Sequence, residues 1–430
     1  MNERQLAELL RDQVGRHGVP GASIAVLRNG TVTLACTGLA DVSTGVPVTP
    51  QTRFSAGSLT KPMVATVIAR LAGAGQLSLD DSVATHVPML AGCAWARRAT
   101  LWDLLANRSQ IPLTQDLEFG FARHDDDGDA ALAGLVAELT GPPSPAGAWS
   151  YSNAGWCVLG RVIESVTGGP WEDAMRRYLS DALADTTFRA GPDPSRASGH
   201  TTTPDGPVPV DQLRSRAYAP AGLTTGTTAT DLLRLAATHL DDDRLTALRA
   251  VQAHVPIHGW LDDWCLGWAR FDWPGGPVWG WDGLVTGERA VLRILPVQAA
   301  AVAFLSNGDS GRALYRTVFT EVMAAEFGIQ VPPLRLTPVP GAVVDLTRYA
   351  GVYAWPDQRV EVTVEADHLR IKDADETLVA QPIDDRTFLV DAADPDNPTV
   401  TFANFDEDGR PHVLYLMLWA LPRQAGQRTR

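Results

Sequence analysis

Lysine is almost missing from this 430-residue chain: Lys61 and Lys372 are the only two among 36 basic residues, and the rest are arginine. Arginine can replace lysine at solvated positions but cannot give up its proton, so any task needing a neutral amine falls to one of these two residues. Cysteine is also scarce. Cys36, Cys93, Cys157 and Cys265 lie far apart without CxxC spacing, which excludes a disulfide framework or a thiolate metal cluster. They are expected to be reduced and buried in a cytoplasmic protein. No run approaches the ~20 apolar residues of a membrane span, and the opening MNERQLAELLRDQVGRHGVPG mixes charges with apolar residues, unlike a signal peptide. Positive charge is in deficit as well. At a net −14 and pI near 5.1, the chain repels phosphate backbones and anionic membranes, so neither nucleic acid nor membrane is an expected partner. The nine histidines lack metal-ligand spacing. The run His124-Asp125-Asp126-Asp127-Gly128-Asp129 hints at a calcium loop but has no correctly spaced closing glutamate, so it reads as a solvated loop. No metal or cofactor is expected.

What is present is the composition of a folded protein with a large core, 45% hydrophobic and 20% charged. Leu6, Leu9, Leu10 and Val14 make residues 3–17 an amphipathic helix. The β-rich runs Ala22–Leu27 and Thr31–Thr37 flank Arg28-Asn29-Gly30, a hairpin signal. Helical spacing of Met63, Val64, Val67, Ile68 and Leu71 predicts a helix beginning at Ser58. Helical patterns continue over 101–105, 130–139, 154–166, 171–183 and 228–239. Strand patterns return at 267–272, 277–280, 289–295 and 299–306, followed by a helix at 312–327. Strands at both ends with helices between them predict an α/β fold: an antiparallel sheet flanked by helices, with a helical subdomain beside it. The proline-rich stretch from Val331 to Pro340 reads as a linker. Beyond it, short alternating runs such as Val360–Val364 and His368–Ile371 predict a small all-β barrel. The expected domains are residues 1–335 and 336–430.

Ser58 and Lys61 stand at i and i+3, on one face of a first helical turn. A serine hydroxyl is a poor nucleophile until a neighbour takes its proton, and a desolvated lysine can do so. Backbone N–H groups at a helix start can also stabilise an oxyanion. A Ser-x-x-Lys tetrapeptide is common by chance, but here lysine is rare. About ninety residues on, Tyr151-Ser152-Asn153 opens another predicted helix. Its phenol can move protons and its amide can hold a carbonyl.

With Ser58-x-x-Lys61 and Tyr151-x-Asn153, the chain resembles the serine hydrolase family of penicillin-binding proteins and class C β-lactamases over about residues 10–330. That family also includes esterases, D-amino-acid peptidases and amidases, transacylases and peptide-cyclising thioesterases. The C-terminal β segment resembles the lipocalin-like appendage of several members. The resemblance puts the family's third motif, Lys-Thr-Gly or His-x-Gly, at Gly280-Trp281-Asp282-Gly283-Leu284, where the cation is missing. Trp281 therefore argues against recognition of a substrate carboxylate, unless Arg289 turns inward to restore the charge. Asn107-Arg108-Ser109-Gln110-Ile111-Pro112 stands where many relatives read His-Thr-Ser-Gly-Leu-Pro. The tryptophans at 260, 264, 268, 273, 279 and 281 raise the prospect of an aromatic pocket.

The resemblance implies an acyl-enzyme hydrolase or acyltransferase. Ser58, Lys61 and Tyr151 would be catalytic, and Asn153, Trp281, Gly283 and Leu284 would bind substrate. The expected partners are a small-molecule ester or amide as acyl donor and water, an amine or an alcohol as acceptor, with secondary metabolism as one setting. Two alternatives stand beside this: a D-amino-acid-directed peptidase, amidase or peptide cyclase, and an inactive sensor that keeps the fold.

Overall fold

The structure, a computed structural model, describes residues 1–430 except 124–127, 142, 145–146, 190, 192, 258–259, 334–344, 375, 391–398 and 425–430. Most of the acidic 124–129 run, much of the linker and the expected 335/336 boundary therefore lie outside the described residues.

Helix α1 (Glu3–His17) buries Leu6, Leu10 and Val14 and is closed at its start by a reciprocal cap between Asn2 and Gln5. Strands β1 (Gly21–Arg28) and β2 (Thr31–Asp41) form the expected hairpin, with Asn29 and Gly30 at φ 50° and 74°. The sheet adds β3 (Val46–Pro47), β4 (Ala253–Ile257), β5 (Leu261–Trp264), β6 (Ala269–Trp273), β7 (Gly276–Val285), β8 (Glu288–Leu295) and β9 (Ala300–Ser306). Its order is β3-β2-β1-β9-β8-β7-β6-β5-β4, antiparallel throughout. The strands on either side of the helical middle thus meet where β1 pairs with β9, Ala22 opposite Ser306. Strands β8 and β9 are buried at every position, as central strands covered on both faces must be.

The helices that matter to the site are α2 (Thr60–Gly73), α3 (Gln115–Gly120), α4 (Asn153–Thr167), α5 (Ala229–Asp241) and α6 (Gly311–Phe327). Helices α1 and α6 pack together beside the sheet, while α5 lies on β1, β8 and β9. Three expectations need correction. The helix predicted from Ser58 begins as a 3₁₀ turn, Gly57–Leu59, and becomes α-helical only at Thr60. The helix predicted over 171–183 stops at Tyr178. Strands β4 and β5 escape the sequence pattern because one contains Pro256 and the other Asp262 and Asp263, residues tolerated near a sheet edge but not strand formers.

Eight further strands form the C-terminal sheet: β10 (Gly351–Ala354), β11 (Arg359–Glu365), β12 (His368–Lys372), β13 (Thr377–Pro382), β14 (Thr387–Val390), β15 (Thr399–Phe405), β16 (Pro411–Leu416) and β17 (Trp419–Pro422). Each pairs antiparallel with the next, and a bridge from Tyr353 to Arg423 brings the first and last together into a nearly closed barrel. Tyr349, Tyr353, Phe388 and Phe402 fill it with edge-on aromatic contacts. The hairpin β16–β17 serves two cores because strand side chains alternate faces. Leu414 and its partner Leu421 point into the barrel, whereas Tyr415 and its partner Ala420 join the core of the larger body.

The thiols are free, as expected; Cys93, Cys157 and Cys265 are buried, but Cys36 on β2 is only partly so. Among the described residues no helix is long and apolar enough to cross a membrane, and no cluster of His, Cys, Asp or Glu could hold a metal.

In the loop ahead of the site, Gln110 adopts φ 59°, a conformation that favours glycine. A side chain there costs about 1–2 kcal/mol, partly offset in glycine by unfolded-state entropy. Gln110→Gly should therefore raise the unfolding free energy by about 0.5–1 kcal/mol in urea titrations. A loss of stability would mean that the glutamine side chain makes up the strain through its contacts.

Candidate active site

A two-residue strand, Phe54–Ser55, pairs with Gly226–Thr227 and leads the chain into the Gly57–Leu59 turn. Strand β7 lies against this turn so closely that a Cβ on Gly283 would stand 1.8 Å from the Ala56 carbonyl oxygen and 3.2 Å from the Ser58 nitrogen. Only glycine fits there. A Cβ on Gly57, itself at φ 51°, would stand 2.6 Å from the Leu284 nitrogen, so the Leu284 backbone borders the serine turn. The Leu284 side chain is exposed beside it.

Lys61 projects from the first turn of α2 and is 0% exposed. Its Nζ donates to Ser58 Oγ at 2.9 Å and to the Ala221 carbonyl at 2.7 Å. Removal from water lowers its pKa to about 7, against the opposing pull of Cys157 and Glu118, so the amine can be neutral near neutral pH. Tyr151 donates its hydroxyl to the same Ser58 Oγ at 2.9 Å. Burial pushes the phenol pKa up, which keeps this proton in place. Lys61 Nζ also lies 4.9 Å from the centre of the Tyr151 ring.

Several elements fix the Tyr151 segment. Ser152 caps α4, its Oγ accepting from Gly155 N at 3.1 Å. From the barrel, the Leu418 carbonyl accepts from Tyr151 N at 3.1 Å, Ala420 N donates to Ser150 Oγ at 3.2 Å, and the Tyr415 hydroxyl donates to the Trp149 carbonyl at 2.8 Å. Asn153 is the first residue of α4, and its side chain is buried.

Trp281 is 2% exposed. Its indole N–H donates to the Tyr151 oxygen at 3.4 Å, and its ring lies 5.1 Å from Trp264 in an edge-on contact. It thus backs the phenol instead of forming an open wall. Asp282, on the opposite face of β7, pairs with Arg293 at 2.7 Å and with Arg289 at 3.6 Å. Arg289 accordingly points toward Asp282 and away from the indole, and does not replace the missing cation. Of the tryptophans singled out in the sequence, Trp264 and Trp281 adjoin the site. Trp268 packs against His239, Trp273 against Phe271, Trp279 donates to the Arg249 carbonyl, and Trp260 lies under Arg312.

Sequence reasoning missed Glu118, the Ala221 carbonyl and the barrel residues Tyr415, Leu418 and Trp419. Glu118 left one faint signal, a carboxylate set among Leu117, Phe119 and Phe121. The backbone carbonyls left none.

A family model described as "Beta-lactamase" matches residues 6–324. "Penicillin-binding protein 4" of Amycolatopsis lactamdurans is 31% identical over 361 residues, covering 78% of this chain and 93% of that protein. The crystal structure of SurE superposes with a TM-score of 0.80 at 27% identity, covering 98% of this chain and 99% of that one, and a second SurE structure holds D-Leu. A class C beta lactamase from Rhodobacter sphaeroides shares the fold at a TM-score of 0.62 and 21% identity, covering 74% of this chain and 99% of that one.

Proposed function

We propose, from the premise that this chain belongs to the beta-lactamase family of serine hydrolases, that it is an acyl-enzyme hydrolase or acyltransferase acting on a small-molecule ester or amide. One observation carries the reading: Ser58 Oγ accepts hydrogen bonds from both Lys61 Nζ and Tyr151 OH at 2.9 Å, in a setting that lets the amine be neutral. Neutral Lys61 takes the hydroxyl proton as Ser58 Oγ bonds to the carbonyl carbon. The backbone N–H groups of Ser58 and Leu284 receive the oxyanion. Its collapse expels the alcohol or amine, which leaves with a proton delivered through Lys61 and Tyr151. Asn153 orients the acyl group. Water or an acceptor amine or alcohol then attacks the acyl carbon, returns a proton to the network and frees Ser58. Residues 1–335 would carry this chemistry and 336–430 would support it.

A second reading is favoured by the likeness to SurE over nearly the whole chain, barrel included, together with that protein's complex with D-Leu. The acyl donor would then carry a D-amino acid, and the product would be a hydrolysed or cyclised peptide. Incubation with a fluorophosphonate followed by mass spectrometry tests the shared chemistry. One adduct on Ser58 is expected, and its absence would leave an inactive sensor. A panel of neutral aryl esters, D-amino-acid amides and D-amino-acid methyl esters, with and without amines, separates the two readings.

Trp281 sharpens the choice of substrate. With an indole behind Tyr151 and no cation, penicillins should acylate Ser58 slowly while neutral esters react well. Trp281→His should shift the ratio of kcat/KM values toward carboxylate-bearing substrates by about 1–3 kcal/mol through a charged, hydrogen-bonded imidazole. Efficient wild-type β-lactam hydrolysis with no activity on neutral esters would overturn the esterase reading.

A further inference from the structure

We propose that Glu118 is a positioning residue of this site, which holds the Tyr151–Asn153 segment in place and sets a buried carboxylate where its charge helps Lys61 keep its proton. The inference rests on the proposed role of Lys61 and deepens it. Glu118 sits on α3, whose start is capped by Thr114 Oγ accepting from Leu117 N at 2.9 Å. The carboxylate is 1% exposed, yet both of its oxygens are engaged by the segment that carries Tyr151. The Ser152 hydroxyl donates to one at 2.8 Å, and the Asn153 backbone N–H donates to the other at 2.7 Å. It therefore occupies the N-terminal end of α4, where orphan N–H groups and the helix dipole favour an anion.

These two bonds fix Ser152 and Asn153, and through them the direction in which Tyr151 enters the site. Among the described residues, the groups facing the carboxylate are Lys61 from α2, Tyr151 from the same segment, Cys157 from α4, Tyr218 from the turn that provides the Ala221 carbonyl, and the Trp419 indole from β17. Lys61 is the cation of this group. Arg161, one turn further along α4, is paired with Glu164. Burial raises the Glu118 pKa to about 7, opposed by its bonds to Asn153 and Ser152 and by Lys61. Each of the two groups therefore loses or holds its proton partly according to the state of the other.

Lysine scarcity makes a direct test possible. In protein labelled with ¹³C-lysine only Lys61 and Lys372 give Cε signals, and Lys61→Arg identifies which is which. Removing the anion leaves the ammonium without its counter-charge, so Glu118→Gln should lower the Lys61 titration midpoint by about one pH unit. Glu118→Asp, which keeps the charge, should leave the midpoint near the wild-type value even if the rate falls. The acidic limb of Ser58 acylation by a fluorophosphonate should move with the midpoint; in that step Oγ bonds to phosphorus, fluoride leaves and the hydroxyl proton passes to Lys61. A midpoint unmoved in Glu118→Gln, or displaced equally in Glu118→Asp, overturns the proposal and leaves Glu118 a structural residue. Wild type alone also decides if no variant folds. Its Lys61 curve should be broader than that of a single site, and a single-site curve refutes the coupling. Failure of the functional reading looks different: no serine adduct forms, whatever Lys61 does.

Discussion

Ser58→Ala should abolish turnover, with kcat/KM falling by at least about a thousandfold, because removal of the nucleophile from an acyl-enzyme site leaves only binding and oxyanion contacts to assist the reaction. The fold should survive. Ser58 makes no capping bond, and the substitution removes a single acceptor shared by Lys61 and Tyr151, at a cost of about 1–2 kcal/mol. Turnover of a neutral aryl ester measures the first effect, and urea unfolding the second. Activity within tenfold of wild type would remove Ser58 from the mechanism, since no other hydroxyl could take over with both proton carriers 2.9 Å from Oγ.

Lys61→Arg should be almost as damaging as Lys61→Ala, again by a factor of about a thousand or more. Arginine keeps the charge but cannot lose its proton, and its larger planar head must enter a pocket where lysine is fully buried. Wild-type kcat/KM should rise with pH through about 7, since Lys61 is protonated and unable to accept below that value and neutral above it. The Tyr151 phenol, pushed upward by burial, should hold its proton across this range. Substantial activity in Lys61→Arg would make the residue an electrostatic one. An activity that falls as pH rises through 7 would mean that the group titrating there works in its protonated form, as an acid or a fixed charge, which contradicts the mechanism.

The indole of Trp281 is committed to Tyr151 and Trp264, so the position does not simply exchange a cationic substrate contact for an aromatic one. Any selectivity against carboxylates would then come with a change in how Tyr151 is held, and the Trp281→His variant should alter both.

Much of this was legible in the residues alone, because the relevant signals are local. The i, i+3 spacing of Ser58 and Lys61, the Asn29-Gly30 turn, the capped start of α4 and the alternation in β11 and β12 each depend on a few neighbouring residues and on the backbone geometry they favour. Two lysines among so many arginines added a chemical argument that needed no structure. Tertiary structure decided what depends on packing and desolvation. Lys61 reaches a pKa of about 7 only because α2 and its neighbours exclude water from it. Glu118 meets Ser152 across 34 positions of sequence, and Leu418 meets Tyr151 from the far end of the chain. The face of β7 determines that Trp281 supports the phenol while Asp282 captures Arg289 and Arg293 on the other side. No periodicity encodes such contacts, because they arise from the way separate elements bury one another's surfaces, and that burial gives the charges among them their strength.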